Sequence, residues 1–155
     1  MTTDEVLASR LRDRGQRVTA QRVVLYRVLR QLGRHATAEE VLNAASEHLP
    51  QLSLPTVYAT LDLLGELGLV RRIAAHAGAV MYDPRPEEHA HAVCRRCGSV
   101  TDLDSDVDPA PALASARAAG FTPDGMDVAV YGLCERCYSS RWTVSGENAG
   151  RQTAT

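Results

Sequence analysis

The chain has 155 residues, of which 45% are hydrophobic, enough for one medium-sized domain or two small ones. Its charged N-terminus is unlike a secretory signal and no apolar run approaches membrane-spanning length, so we expect a soluble, cytoplasmic protein. It has no Lys, and 17 Arg nearly balance 19 acidic residues. The charge is unevenly spread, because residues 1–82 carry 10 Arg and 8 acids whereas residues 83–155 carry 7 Arg and 11 acids. This asymmetry suggests two modules with different partners.

Four helices are predicted within the first 68 residues. Apolar residues at helical spacing give a short first helix that Gly15 ends. Thr19 is predicted to cap a second helix that ends at Gly33. The run TAEE is a capping box, in which Thr37 caps a third helix and Glu40 lies three residues further on.

A fourth helix is predicted to start at Ser53, with Pro55 in its first turn, and to stop at Gly68. Its apolar face comprises Val57, Leu61, Leu64 and Leu67. Two short strands, 69–75 and 79–83, follow around a turn. Helices followed by a hairpin are the layout of a winged helix-turn-helix, whose last helix enters the DNA major groove.

The start of the fourth helix offers side chains that could contact DNA. Hydroxyl groups can bond phosphates, and a Thr methyl or a Tyr ring can contact thymine methyls. The candidates are Ser53, Thr56, Tyr58 and Thr60. The same residues would also suit an ordinary helix cap and a solvated helix surface, and the pattern leaves both interpretations open.

The second half of the chain is predicted to be a small α+β domain. A linker rich in Pro and charge precedes strands near 91–95 and 98–103, a helix over 109–119, and a strand within MDVAVYGLC. The fold class is therefore α+β, with an N-terminal winged helix-turn-helix and a small C-terminal domain. The predicted ranges are 1–83 for the first domain, 84–88 for the linker, 89–138 for the second domain and 139–155 for a disordered tail.

Four cysteines form two pairs with the spacing C-x2-C-x36-C-x2-C, namely Cys94, Cys97, Cys134 and Cys137. Four thiolates suit tetrahedral Zn²⁺ and leave no open coordination position, so the predicted site is structural. The alternatives are free thiols or redox pairs, although neither pair has the strand-to-helix context of a thioredoxin-like motif.

A second cluster of possible ligands surrounds the first cysteine pair. His89 and His91 would point to one face of a strand, whereas Cys94 has the opposite parity, so the two sets are predicted to serve different metals. Asp83 and Asp102 could complete a mixed nitrogen and oxygen site suited to Fe²⁺, Mn²⁺, Zn²⁺ or Ni²⁺. The alternative is a solvated polar loop.

These motifs together resemble the ferric uptake regulator superfamily over residues 8–138. The matching stretches are RGQRVTAQR at 14–22, RHATAEEVL at 34–42, LPTVYATLDLLGELGLV at 54–70, HAHAVCRRCG at 89–98 and YGLCERC at 131–137. The resemblance implies a homodimeric, winged-helix repressor with a C-terminal dimerisation domain, a structural zinc site and a regulatory metal. It also implies a double-stranded, AT-rich palindromic operator, and DNA contacts that include Arg17, Thr19 and Arg22.

Within this superfamily the chain is most similar to the peroxide regulator branch. That branch holds Fe²⁺ or Mn²⁺ with three His and two Asp, which match His35, Asp83, His89, His91 and Asp102 here. Iron uptake members usually carry Glu where these two Asp stand. The resemblance thus implies that peroxide oxidises a ligand histidine, His35 or His91, on the iron form and releases DNA, whereas the Mn²⁺ form represses without reacting.

Two other functions stay open at this stage. One is a metal-uptake regulator that responds to the level of iron, zinc or nickel, and the other is a zinc-containing redox enzyme that uses its CxxC pairs. We expect a regulator and not an enzyme, because the proposed mechanism turns over no substrate. His48 and His76 match no ligand position and are predicted to be surface residues.

Overall fold

The computed structural model describes residues 2–74 and 78–140, and the chain divides into two compact units after Glu87. The division falls within the segment 84–88 that the sequence assigns to a linker. The predictions for His76 and for the tail from residue 141 concern residues outside the described ranges. In the part of the chain that is described, no helix is long and apolar enough to cross a membrane.

The N-terminal unit begins with four helices, as predicted. They are α1 (Thr3–Asp13), α2 (Ala20–Leu32), α3 (Ala38–Ala45) and α4 (Leu54–Glu66). The predicted capping box is present on α3, where Thr37 accepts from the Glu40 backbone and Glu40 accepts from the Thr37 backbone. Gly33 ends α2 in a left-handed conformation with φ of 60°, which only glycine adopts at little cost.

Side chains from all four helices form one hydrophobic core. Residues that are 0% exposed include Leu7, Leu11, Leu25, Leu29, Val41, Val57, Leu61 and Leu64. Fully burying one such side chain stabilises the fold by about 1.5–3 kcal/mol. The predicted face of α4 is buried throughout. The buried residues of α2 are Leu25, Tyr26, Val28 and Leu29.

A two-stranded antiparallel wing follows the helices, formed by β1 (Arg71–Ala74) and β2 (Val80–Asp83). The first strand begins two residues later than predicted, since Leu69 and Val70 form a bend that is buried in the core before the ladder begins. An isolated bridge joins Ala36 to Tyr82 through two backbone hydrogen bonds of 3.1 and 2.8 Å. The wing is thereby fixed to the segment that connects α2 to α3.

Between residues 88 and 140, the C-terminal unit contains a three-stranded sheet and two helices. Its elements are β3 (Ala90–Cys94), β4 (Val100–Leu103), α5 (Ala110–Ala118), β5 (Ala129–Gly132) and α6 (Glu135–Ser139). The sheet order is β4-β3-β5, with β3 antiparallel to β4 and parallel to β5. The parallel pair needs a long crossover, which contains α5. The short helix α6 is not among the predicted elements, and Gly98 lies in a turn rather than in a strand.

Candidate metal centres and nucleic-acid interface

The sheet of the C-terminal unit brings the two cysteine pairs together. Because β3 and β5 are parallel with Cys94 opposite Gly132, both strands end at the same edge of the sheet. The first pair turns directly after β3, where the Gly98 N–H donates to the Cys94 carbonyl at 2.9 Å. The second pair follows β5, with Cys134 at the N-cap of α6 and Cys137 within that helix. Two chain segments far apart in sequence therefore supply one cluster.

The four sulfur atoms have the spacing of a tetrahedral metal site. All four lie within 4.8 Å of one another, and Cys97 Sγ and Cys134 Sγ are 3.8 Å apart. A tetrahedron with Zn–S bonds of about 2.3 Å has edges of about 3.8 Å. All four cysteines are free, and this separation is far longer than a disulfide bond of about 2.05 Å. The residues present therefore fit a zinc ion.

The surroundings of the cluster favour thiolate at two of the four sulfurs. A hydrogen bond with the Ser99 hydroxyl lowers the pKa of Cys97 to about 5. The Cys134 backbone N–H, 3.4 Å from Cys94 Sγ, lowers the pKa of Cys94. Burial instead raises the pKa of Cys137 to about 12, so that thiol needs a metal ion to lose its proton at neutral pH.

Arg96 links the two cysteine pairs through a contact that the sequence motifs do not predict. The Arg96 guanidinium donates to the Cys137 carbonyl at 3.0 Å and to the Ser140 hydroxyl at 2.8 Å. One of the two arginines between the first two cysteines thus helps to hold the second pair in place. The sequence signal was the CRRC run, but its contacts depend on the parallel strand pairing.

In the N-terminal unit, His35 and Asp83 lie side by side where the segment between α2 and α3 meets β2. The antiparallel bridge between Ala36 and Tyr82 places His35, just before Ala36, beside Asp83, just after Tyr82. His35 Nε2 lies 3.4 Å from Asp83 Oδ2. Asp83 Oδ1 accepts the Arg85 backbone N–H at 2.8 Å, which orients the carboxylate. His35 is 7% exposed and Asp83 is 1% exposed. Both side chains are therefore buried, as metal ligands often are.

In the C-terminal unit, the other three ligand candidates lie on neighbouring strands. His91 pairs with Asp102 across β3 and β4, and His89 immediately precedes β3. Asp102 Oδ1 is 3.1 Å from His89 Nε2 and 3.9 Å from His91 Nε2, and the two imidazole centroids are 4.4 Å apart. These side chains form a cluster separate from the four cysteines, as the alternating direction of side chains along β3 predicted.

An open cleft of about 680 Å³ in the N-terminal unit contains most of the predicted DNA-binding residues. It lies between the loop before α2 and the first turns of α4. Its lining includes Arg17, Thr19, Arg22, Thr56 and Thr60. Backbone and hydroxyl donors beside arginine side chains are the groups that bind phosphate oxygens.

One arginine of this cleft is used to shape the loop. The Arg22 guanidinium donates to the Arg17 carbonyl at 2.6 Å and to Gln16 Oε1 at 3.2 Å. The Thr19 hydroxyl caps α2 by accepting the Arg22 backbone N–H at 3.4 Å. These contacts fix the backbone of the loop before α2, which carries Arg17, the other arginine of the cleft.

The α4 candidates differ in their surroundings. Thr60 is only 5% exposed, so its side chain is poorly placed for the predicted DNA contact. Ser53 stands at the N-cap position without a side-chain cap bond, and its hydroxyl lies 2.9 Å from Thr56 Oγ1. The Tyr58 hydroxyl donates to Glu39 Oε1 on α3 at 3.1 Å.

Four helices followed by a two-stranded wing, together with a four-cysteine cluster of possible metal ligands, are features of a metal-binding, DNA-binding regulator. The chain belongs to the Ferric uptake regulator family, whose sequence pattern matches residues 13–131. This confirms the family resemblance and the α+β fold class. Members of the family are metal-responsive transcriptional regulators that bind DNA as dimers.

Relatives of two kinds match this chain. The transcriptional regulator FurA of Mycobacterium tuberculosis is 36% identical over 131 residues, which cover 84% of this chain and 88% of the relative. The peroxide-responsive repressor PerR of Staphylococcus epidermidis is 30% identical over 135 residues, covering 86% and 89%. The structure of the ferric uptake regulator of Pseudomonas aeruginosa with manganese is similar at a TM-score of 0.61 and 28% identity, covering 82% of this chain and 96% of that one.

Proposed function

We propose that the chain is a metal-dependent repressor that senses hydrogen peroxide through iron-catalysed oxidation of a ligand histidine. The regulatory ion, Fe²⁺ or Mn²⁺, is held by His35, Asp83, His89, His91 and Asp102. The observation that carries the proposal is that each half of this set pairs histidine with aspartate, 3.4 Å apart at His35 and 3.1 Å apart at His89. The family resemblance associates aspartate, in place of glutamate, with the peroxide regulator branch.

The donor set fits the proposed metal. Three imidazoles and two carboxylates make a mixed nitrogen and oxygen site, which suits Fe²⁺ or Mn²⁺ better than Ca²⁺. The two pairs are formed separately in each unit, so a single ion held by both would fix one conformation of the chain. Metal binding would then favour the conformation that matches DNA, because a ligand shifts an equilibrium toward the state it binds better.

Peroxide reverses this effect by damaging a ligand. A bound Fe²⁺ ion would catalyse cleavage of the O–O bond and would be regenerated, so the two electrons that reduce the peroxide come from the ligand histidine. An imidazole carbon of His35 or His91 gains one oxygen atom from peroxide, and the second oxygen leaves as water. The modified histidine is a weaker ligand, so the repressor loses the metal-stabilised conformation and releases its operator.

The four cysteines are proposed to hold a structural zinc ion. Cys94, Cys97, Cys134 and Cys137 would fill all four tetrahedral positions, which leaves no site for a substrate or an oxidant on the metal. The sulfur separation of 3.8 Å supports this assignment. A closed site of this kind also argues against the redox-enzyme alternative, since metal-bound thiolates react slowly.

The proposed DNA interface consists of α4 and the loop before α2. The cleft brings Arg17, Thr19 and Arg22 beside Thr56. The N-terminal end of α4 adds Ser53 at the N-cap and Tyr58 in the helix. We propose that the operator is an AT-rich palindrome, whose two half-sites are read by the two α4 helices of a dimer. A repressor of this kind acts in the cytoplasm, where it meets the chromosome.

The C-terminal unit offers a surface that suits a homodimer. The strand β5 forms an edge of the sheet and all four of its residues are exposed, which leaves backbone groups available for pairing. Val130 is 56% exposed, Tyr131 is 48% exposed and Phe121 is 71% exposed. The helix α5 has no buried residue, so its apolar side chains are also available to a second copy.

A DNA-binding experiment tests the proposal. A duplex is first selected from a random library by the zinc-containing, Mn²⁺-loaded chain, and its binding is measured with Mn²⁺, with Fe²⁺ and with a chelator. We expect tight binding with either metal and release by peroxide from the iron form alone. DNA binding that ignores both metal and peroxide would refute the proposed function.

A metal-uptake regulator is the second candidate function. It is favoured by a relative named Ferric uptake regulation protein 1, from Mycolicibacterium fortuitum, whose 37% identity exceeds the 30% identity of the peroxide-responsive relative. The same experiment separates the two candidates. Binding that follows the metal concentration but survives peroxide on the iron form would select the uptake regulator.

A further inference from the structure

We propose that Tyr82 and Asp62 couple the metal ligands of the N-terminal unit to the recognition helix α4. The inference rests on the proposed function, in which His35 and Asp83 hold the regulatory metal. It adds a route by which ligand geometry reaches the DNA-reading element, and it assigns roles to two residues outside both the ligand set and the DNA-contact set.

The route begins at the bridge that joins the two ligand segments. Ala36 and Tyr82 exchange two backbone hydrogen bonds, of 3.1 and 2.8 Å, and each lies next to a ligand in the chain. A change in the distance between His35 and Asp83 therefore moves the Tyr82 backbone. Neighbouring residues on a strand point to opposite faces, so Tyr82 faces the helices while Asp83 faces the histidine.

The side chain of Tyr82 carries this movement to α4. Its ring is 1% exposed within the core, where close packing transmits displacement rather than absorbing it. Its hydroxyl donates to Asp62 Oδ1 at 2.8 Å. Asp62 lies on α4, and Arg72 Nε of β1 lies 3.7 Å from the same oxygen atom. The recognition helix is thus tied to the strand that ends in a metal ligand.

The far end of this link can be changed without disturbing the core. The Asp62 side chain is 49% exposed, so its replacement leaves no buried cavity. Replacing Tyr82 by Phe keeps the buried ring and removes only the hydroxyl. A hydrogen bond to a charged group contributes measurably to an equilibrium, and its loss should change the coupling by about 3- to 10-fold.

The experiment compares wild type with Tyr82→Phe and Asp62→Asn in the full-length, zinc-containing chain. The probe is Mn²⁺, and the DNA is the duplex selected by the manganese-loaded wild type. The quantity measured is the metal-dependent gain, defined as the ratio of DNA affinities with Mn²⁺ and with a chelator. We expect each variant to reduce this gain by about 3- to 10-fold, and the double variant to reduce it no further than either one.

Two further variants serve as controls. Tyr26→Phe removes a hydroxyl from another buried tyrosine of the same core, on α2, and should leave the gain unchanged. Glu39→Gln weakens the bond between α3 and Tyr58 without involving a ligand segment. It should change DNA affinity by the same factor with and without Mn²⁺. Reciprocity gives a second readout, because DNA must strengthen Mn²⁺ binding by the same gain in each protein.

The possible outcomes separate the coupling from the proposed function. A wild type without metal-dependent DNA binding would overturn both. A wild type that responds to Mn²⁺, together with variants of unchanged gain, would overturn the coupling alone. So would an equal loss of DNA affinity with and without metal. If Tyr82→Phe lowers the thermal midpoint of unfolding, the exposed Asp62→Asn decides the question by its own gain.

Discussion

The carboxylate of Asp83, a proposed metal ligand, is oriented by two different neighbours. One carboxylate oxygen accepts the Arg85 backbone N–H at 2.8 Å, and the other lies 3.4 Å from His35 Nε2. The first contact is local and the second depends on a bridge between distant segments. Fixing the side chain in this way reduces the entropy lost when a metal is bound.

At the regulatory site, we expect Asp102→Asn to lower the affinity for Mn²⁺ by at least about 10-fold. The substitution removes a charge from the oxygen pair beside His89 and His91 while preserving size. Isothermal titration calorimetry with Mn²⁺ measures the change. Asp104→Asn is the matched control, since Asp104 is exposed just beyond β4. Equal affinities for the two variants would contradict the ligand assignment.

At the cysteine site, the metal-free protein should be alkylated at Cys97 with a midpoint near pH 5. The folded-state pKa of Cys97 is lowered to about 5, so its nucleophilic thiolate persists well below the ordinary range. Ser99→Ala removes the main cause and should shift the midpoint upward. Peptide mapping after alkylation at several pH values checks both. An unchanged midpoint in the Ser99→Ala variant would contradict the assigned cause.

Among the helices, the two N-caps of α3 and α4 differ in strength. The Thr37 hydroxyl accepts from the Glu40 backbone at 3.3 Å, whereas Ser53 makes no side-chain cap bond. We expect Thr37→Ala to lower the free energy of unfolding by about 1 kcal/mol, and Ser53→Ala to lower it by only a few tenths. Urea denaturation measures both. A larger loss for Ser53→Ala would reverse this interpretation.

The helices α3 and α4 show which features of the N-terminal unit can be predicted from the sequence. A capping box and a helical apolar stripe are local patterns, so the start and the buried face of α3 and α4 could be read directly. The bridge from Ala36 to Tyr82 joins segments distant in the chain, and no local pattern contains it. For this reason no local pattern predicts that His35 is buried, and only the family resemblance proposes it as a ligand.

The helix α6 and the arginine contacts of the cysteine site show the same limit. The CxxC spacing predicted a shared cluster, but not that Cys134 would cap a short helix. Likewise, the contact from Arg96 to the Cys137 carbonyl follows from the parallel register of β3 and β5. Register is set by pairing across the sheet, which a single sequence does not reveal.

For the whole molecule, the proposed homodimer depends on the apolar surface of the C-terminal unit. We expect Val130→Asp to convert the dimer to a monomer, because it places a charge on the exposed edge strand β5. Val107→Asp is the matched control, since Val107 is 47% exposed in a loop. Analytical ultracentrifugation distinguishes the states. A dimer that persists in Val130→Asp would exclude this strand from the interface.

The uneven distribution of charge along the chain bears directly on DNA binding. The N-terminal residues 1–82 have a net charge of +2, from 10 Arg and 8 acids, and they contain the arginine-lined cleft. The overall charge of −2 hides this difference. DNA affinity should therefore fall as salt rises, because neutralising phosphates releases counterions.

The most direct test of peroxide sensing joins DNA release to chemical change in the same sample. The zinc-containing chain is loaded with Fe²⁺ or Mn²⁺, bound to the selected duplex and treated with hydrogen peroxide, and its peptides are analysed by mass spectrometry. We predict that only the iron form releases DNA, with one added oxygen atom on His35 or His91. An iron form that stays bound with both histidines unmodified would contradict the proposed mechanism.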